Sequence, residues 1–205
     1  MPEHPLYAIA TTQSLGSELL TSVEAALRGG VGWVQYRDKS QHTQRRRSEA
    51  TALASLCRDY GAKLIINDDL ELALACGAHG VHLGQGDGSP REARQCLGPS
   101  AIVGVTCHAS MALARQALAD GATYLAFGRF FPSQTKPHAP PAPLALLNEA
   151  RRAFEHTPLV AIGGITLDNA RQALSAGADR VAVGENVFGA HDIESQARAY
   201  RRLRP

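Results

Sequence analysis

The chain has 205 residues, with 21 Lys+Arg against 19 Asp+Glu, a formal net charge of +2, and 44% hydrophobic, 20% charged and 5% aromatic residues. A chain of this length buries roughly 70% of its unfolded surface without disulfide or metal staples, and this composition excludes a disordered tail or a strongly acidic or basic arm. Charge this balanced argues against nucleic-acid or membrane partners, and so few aromatics argue against a base-stacking platform.

The first residues, MPEHPLYAIATTQS, carry neither the basic region nor the continuous apolar run of a secretory leader. No stretch approaches the ~20 apolar residues of a membrane helix. Cys57, Cys76, Cys96 and Cys107 contain no CxxC spacing, which disfavours zinc. Cys57, Cys76 and Cys96 fall in helical stretches, where a reduced, buried thiol is expected. The expectation is one soluble, cytoplasmic domain spanning 1–205.

In chain order, LYAIAT (6–11) reads as a strand and 18–29 as a helix. LRGGVGWVQ (27–35) leads through Gly30 into a strand that continues as WVQYRDK (33–39). A helix over 44–60 puts Leu53, Leu56 and Tyr60 at helical spacing, with Arg45, Arg46, Arg47 and Asp59 elsewhere. Then come KLIIND (63–68), a helix at 70–76, LACGAHGVHL (74–83), a helix at 90–97, AIVGVTC (101–107), a helix at 110–120 and LADGATYLAF (118–127). Five prolines in the twelve residues of PSQTKPHAPPAP (132–143) make a long loop. A helix at 144–156, LVAIGG (159–164), a helix at 168–176, LSAGADRVAV (174–183) and a helix at 192–203 complete the chain. Four of these segments repeat one design: a helical Leu, a Gly three residues on, then an apolar run. Gly30, Gly77, Gly121 and Gly177 suit a left-handed helix end, which costs glycine no Cβ clash. Strict βα alternation, eight times over, predicts a parallel sheet with right-handed crossovers, closed as a (β/α)8 TIM barrel. An open doubly wound sheet is the alternative, but the first turn, ATTQSLGSE, has no GxGxxG.

Chemistry-bearing residues gather at strand ends. In WVQYRDK, alternation sends Gln35, Arg37 and Lys39 one way and Tyr36 and Asp38 the other. A guanidinium fork and an ammonium suit phosphate oxygens, although a solvated strand end reads the same way. IINDD (65–69) supplies Asn67, Asp68 and Asp69, and Asp68 has capping-box spacing to Glu71. VHLGQGD (81–87) brings Asp87 to the same face, and two carboxylates from adjacent strand ends can share Mg2+. His82, alone on its strand, is expected to be a hydrogen-bonded interior residue. Ser133, Thr135 and Lys136 put two hydroxyls and a cation on the long loop, and Gly163, Gly164 and Gly184 end the seventh and eighth strands. Barrels often bind phosphate there through backbone N–H groups.

QYRDK (35–39), IINDD (65–69), VHLGQGD (81–87), GVTCHAS (104–110), GRFFPSQTKPHAP (128–140) and AIGGITLDN (161–169) together resemble the thiamine phosphate synthase family through nearly the whole chain. The resemblance implies a (β/α)8 barrel joining 4-amino-5-hydroxymethyl-2-methylpyrimidine diphosphate to hydroxyethylthiazole phosphate, with loss of pyrophosphate. It implies that Gln35, Arg37, Lys39, Asn67 and Lys136 hold the pyrimidine diphosphate, with Arg37, Lys39 and Lys136 catalytic. Tyr36 and Asp38 lie within the same substrate segment, as Gln134 does in the loop. Asp68 and Asp87 would hold Mg2+, Thr106 would lie beside the pyrimidine, and Ser133 and Thr135, with backbone at Gly164 and Gly184–Glu185, would take the thiazole phosphate. Small-molecule substrates are implied as partners, with no nucleic acid or membrane and a homodimer as an allowed assembly. The chain departs from the family at Gly184–Glu185, usually a hydrophobe then Ser, and has Ser133 for Thr, Thr106 for Ser, Asp38 for Glu and His138 in the loop.

Other readings stay open at this level. A thiazole tautomerase could use His108, a Schiff-base aldolase could use Lys136, a regulatory barrel could bind phosphate without chemistry, and Arg45–Arg47 with the RRLRP tail could contact nucleic acid.

Overall fold

A computed structural model describes residues 4–132 and 142–203. Eight parallel strands form a closed barrel in sequence order: β1 (Leu6–Thr11), β2 (Trp33–Arg37), β3 (Lys63–Asn67), β4 (Gly80–Leu83), β5 (Ile102–His108), β6 (Tyr124–Gly128), β7 (Leu159–Ile162) and β8 (Arg180–Val183). Closure is made by β1 on β8, with Leu6 opposite Val181 and Ala8 opposite Val183. The described helices are α1 (Thr12–Leu15), α2 (Leu19–Arg28), α3 (Thr43–Asp59), α4 (Leu70–Cys76), α5 (Pro90–Leu97), α6 (Met111–Ala119), α7 (Ala145–Ala153), α8 (Leu167–Ser175), α9 (Glu185–Phe188) and α10 (Ile193–Arg201). None of the described helices is long and apolar enough to cross a membrane. The eight expected helices are all present. The short α1 and α9 are additions, each following directly on a strand where an amphipathic period has no room to show.

The glycines of the repeated design end their helices as expected. Gly77 caps α4 in the left-handed region (φ 64°) and Gly177 follows α8 at φ 115°. Period-2 alternation divides the apolar strand residues between two cores. Leu64 and Ile66 of β3, Leu125 and Phe127 of β6 and Val181 and Val183 of β8 face the helices. Tyr7, Ile65, Tyr124, Ala126, Val160 and Ala182 fill the barrel itself. Three of the rings there meet edge to face: Tyr7 and Trp33 at 5.5 Å, Tyr7 and Tyr124 at 6.0 Å, Trp33 and Tyr124 at 5.4 Å between centroids. At the opposite end from the strand C-termini, Arg180 lies 4.3 Å over the Trp33 ring and donates to His4 O at 2.8 Å.

Two packing expectations are corrected. Tyr60 is not on the inward line of α3: it caps the helix, is 41% exposed and donates to Glu24, while Ala50, Leu53, Ala54 and Cys57 face the barrel. Cys96 is exposed, because Ala93 and the partly buried Leu97, four residues apart, take the inward line of α5; Cys57, Cys76 and Cys107 are buried free thiols.

The aromatic filling explains a glycine in β5. A Cβ on Gly104 would lie 1.9 Å from Tyr124 Cζ, inside the ring. Gly104→Ala is therefore expected to overpack the barrel and cost about 1–3 kcal/mol in urea unfolding. Unchanged stability would show that Tyr124 moves aside freely.

Candidate active site

The rim at the strand C-termini collects the polar side chains. On β2, Gln35 is buried inside the barrel and donates through Nε2 to the Tyr7 hydroxyl at 3.0 Å. Arg37, at the end of the same face, is half-buried and has no ion-pair partner among the described residues. Lys39 follows with its side chain 59% exposed and Nζ 3.5 Å from Asp68 Oδ2. The Tyr36 and Asp38 side chains point to the other side, as alternation requires. Tyr36 donates to Glu49 of α3 at 2.7 Å. The buried Asp38 carboxylate accepts from Gln13, from Ser40 N–H and hydroxyl, and from Arg45. Burial pushes Asp38 up, but the Ser40 N–H, Arg45 and the Ser40 hydroxyl outweigh it and hold the carboxyl below its ordinary range. Asp38 thereby pins the turn that carries Lys39.

The two aspartates after β3 divide their work differently from the expected capping box. Asp69 is the N-cap of α4: Oδ1 accepts from Leu72 N at 2.8 Å, and Oδ2 pairs with Arg46 at 2.6 Å. Asp68 is thus freed from capping. Its backbone is left-handed (φ 64°), an unusual state for a non-glycine, and its N–H donates to His82 O at 2.8 Å. That twist turns the side chain to the rim beside Asp87, whose Oδ2 accepts from Gly84 N at 2.9 Å. The two carboxyls come within hydrogen-bonding reach. Burial first, then Asp87, raise Asp68 above the ordinary carboxyl range, while Lys39 pulls the other way. Facing carboxylate oxygens of this kind offer a hard divalent cation two ligands.

On β4, His82 is the buried interior residue expected from sequence, with Nδ1 2.7 Å from Tyr124 Oη and Nε2 2.8 Å from Thr106 Oγ1. Burial brings its imidazole down to about 4, so it is neutral near pH 7. Thr106 stands on β5 just before a register shift between Thr106 and His108 that ends the regular pairing. His108 is exposed at φ 51°.

Gly163 and Gly164 end β7 at φ 97° and 68°. The backbone that approaches them is the protein's own. A Cβ on Gly164 would lie 2.2 Å from Pro132 O, and Phe131 N donates to Gly163 O at 3.1 Å. The double glycine thus docks the chain leading into 133–136. Ser133, Gln134, Thr135, Lys136 and His138 lie outside the described residues. Beyond β8, Gly184 opens α9 and Glu185 is exposed. A Cβ built on Gly189 would lie 2.9 Å from Glu185 Oε1, so this carboxylate is folded along α9, away from the helix start. A small cavity of about 110 Å3 adjoins it, lined by Thr11 and Ser14 together with Gly184, Glu185 and Phe188. Thr11 and Ser14 carried no sequence signal beyond lying just after a strand.

Paired carboxylates beside a lysine, on the C-terminal rim of a closed parallel barrel, define a (β/α)8 protein equipped for anionic ligands. The chain matches the thiamine monophosphate synthase family model over residues 6–187. It is 53% identical to a thiamine-phosphate synthase of Saccharophagus degradans over 205 residues, covering 99% of this chain and 94% of the other. The thiamine phosphate pyrophosphorylase of Pyrococcus furiosus superposes with a TM-score of 0.86 at 34% identity, covering 98% of this chain and 96% of that one. A native KDPGal structure aligns with a TM-score of 0.75 at 19% identity over 97% and 93% of the two chains, a likeness of fold alone. The chain belongs to the thiamine monophosphate synthase family and is a transferase of thiamine biosynthesis.

The division between Asp68 and Asp69 is testable by stability alone. Asp69→Ala should cost about 0.5–2 kcal/mol as a lost N-cap. Asp68 has a folded-state pKa above its unfolded value, so the folded protein binds more protons in that window. Metal-free stability should therefore fall as pH rises from the ordinary carboxyl range through the raised pKa. Asp68→Asn should flatten that fall in urea unfolding at a series of pH values; an unchanged slope would place the coupling elsewhere.

Proposed function

We propose that the chain couples 4-amino-5-hydroxymethyl-2-methylpyrimidine diphosphate to hydroxyethylthiazole phosphate, forming thiamine monophosphate and releasing pyrophosphate. The observation that carries this reading is the meeting of Asp68, Asp87 and Lys39 at one point on the rim, in a chain of this family. Its partners are then two small phosphorylated heterocycles, and a cytoplasmic location and a homodimer go with the reading.

In this reading Gln35, Asn67 and Thr106 hold the pyrimidine, while Arg37, Lys39 and Lys136 grip the diphosphate. The C–O bond to the methylene breaks, its electron pair leaves with pyrophosphate, and the 4-amino group feeds electrons into the resulting pyrimidine cation. The thiazole nitrogen then donates its pair to that carbon. Arg37, Lys39 and Lys136 act mainly as charge builds on the leaving group, so they stabilise the transition state more than the ground state. Asp68 and Asp87 would hold Mg2+, which when bound supplies further positive charge for the pyrophosphate. Ser133, Gln134 and Thr135, with backbone at Gly164, Gly184 and Glu185, take the thiazole phosphate; the folded-back Glu185 side chain leaves that approach clear of a competing carboxylate. Tyr36 and Asp38 support the site from behind and do not touch substrate through their side chains. Placing both substrates together removes the need for a protein nucleophile.

The test is pyrophosphate release with both substrates and Mg2+, repeated without the thiazole to separate coupling from hydrolysis. Lys136→Ala, Lys39→Ala and Asp87→Ala should each lower kcat by about 10²–10³, by analogy with a lost oxyanion donor, while melting like the parent. Near-normal turnover in any of them would remove that residue from the site.

A further inference from the structure

Five buried or part-buried polar side chains cross the inside of the barrel as one hydrogen-bonded chain. It runs from Gln35 Nε2 to Tyr7 Oη at 3.0 Å, to Tyr124 Oη at 3.0 Å, to His82 Nδ1 at 2.7 Å, and from His82 Nε2 to Thr106 Oγ1 at 2.8 Å. Its two ends, Gln35 on β2 and Thr106 on β5, are two of the three residues assigned above to the pyrimidine, so the inference rests on that reading.

Counting protons gives the chain a direction. The Gln35 amide nitrogen can only donate, so Tyr7 accepts there. Tyr7 and Tyr124 are essentially inaccessible to water. A buried hydroxyl proton without an acceptor costs about 1–3 kcal/mol, so the Tyr7 proton goes to Tyr124, and the Tyr124 proton goes to His82 Nδ1. His82 then carries its one proton on Nε2 and donates to Thr106. With the Gln35 amide nitrogen still donating to Tyr7, an imidazolium, or a proton on Nδ1, would reverse the Tyr124 contact and leave one of the two tyrosine protons with no acceptor. Thr106, having accepted, keeps its own proton for the mouth. Gln35, with its NH2 group held by Tyr7, keeps Oε1 for the mouth.

We infer that Tyr7, Tyr124 and His82 are positioning residues that lock the Gln35 amide against flipping, and so select a 4-aminopyrimidine over its 4-oxo counterpart. The geometry suits the ring. Gln35 and Thr106 stand on β2 and β5, three strands apart around the barrel, and a 4-amino group and N1 lie on opposite edges of a pyrimidine. The amino N–H meets Gln35 Oε1, and N1 meets the Thr106 proton. A 4-oxo group would set oxygen against oxygen, relieved only if Gln35 turned over. Turning over would require Tyr7 to donate to Gln35 and every bond behind it to reverse: Tyr124 would donate to Tyr7, His82 would carry its proton on Nδ1, and Thr106 would spend its proton on Nε2 and face N1 with a lone pair. The selection is thus written into residues that do not touch the substrate.

The test compares inhibition by 4-amino-5-hydroxymethyl-2-methylpyrimidine monophosphate and by its 4-oxo analogue. The parent should favour the amino compound. Tyr124→Phe breaks the chain at its centre, lets Gln35 flip, and should reduce that preference by about tenfold, the equivalent of one buried hydrogen bond. The KM for thiazole phosphate should stay unchanged. Loss of preference with an equal rise in the thiazole KM would mark general loosening and overturn the inference, as would an unchanged preference. Gln35→Ala and Thr106→Ala separate the two levels. If neither alters inhibition by either compound, the placement of the pyrimidine is wrong. If they do and Tyr124→Phe does not, the chain is not the selector. Nitrogen NMR of the 15N-histidine-labelled parent needs no variant: a neutral His82 protonated on Nε2 is expected, and a proton on Nδ1 overturns the assigned direction.

Discussion

The rim is organised around two carboxylates forced together. Burial first, and then the neighbouring Asp87, raise the Asp68 carboxyl above its ordinary range. The backbone holds the pair in place: Asp68 sits in a left-handed turn tied to His82 O, and Asp87 is tied to Gly84 N. Such an arrangement is costly for an empty protein and favourable for one that meets a cation and an anionic substrate. Lys39 at 3.5 Å supplies part of the missing positive charge.

Behind that rim, the supporting contacts are of two kinds. Outside the strands, Asp38 gathers Ser40, Arg45 and Gln13, and Asp69 gathers Leu72 N and Arg46, so the loops after β2 and β3 are pinned by carboxylates that never face the mouth. Inside the barrel, aromatic rings fill the core and their polar ends find one another. Gly104 makes room for the Tyr124 ring. Rigid loops and a rigid interior give the strand ends fixed positions, which is what catalysis by positioning demands.

Much of this was legible in the sequence, for physical reasons. Repeated Leu–x–x–Gly turns followed by apolar runs encode helix ends and buried strands locally, so the (β/α)8 order could be read without distant contacts. Alternation in WVQYRDK separates Gln35, Arg37 and Lys39 from Tyr36 and Asp38, and their side chains do point to opposite sides. The choice between Asp68 and Asp69 as the cap was not legible, because adjacent identical residues differ only in a backbone angle set by the neighbouring strand. The Tyr7–Tyr124 contact joins residues 117 positions apart and leaves no local pattern. Likewise, nothing near Gly163–Gly164 announced that the chain's own Phe131 and Pro132 would press on it.

The account turns on Asp68 and Asp87 acting as one acceptor for a cation-bound diphosphate. Calorimetric titration of the protein with pyrophosphate in the presence and absence of Mg2+ measures this directly. The account predicts strong binding only with Mg2+, weakened about a hundredfold when both aspartates are changed to asparagine, a loss of roughly 2.7 kcal/mol. Equal affinity with and without the metal, or in the doubly substituted protein, would contradict it.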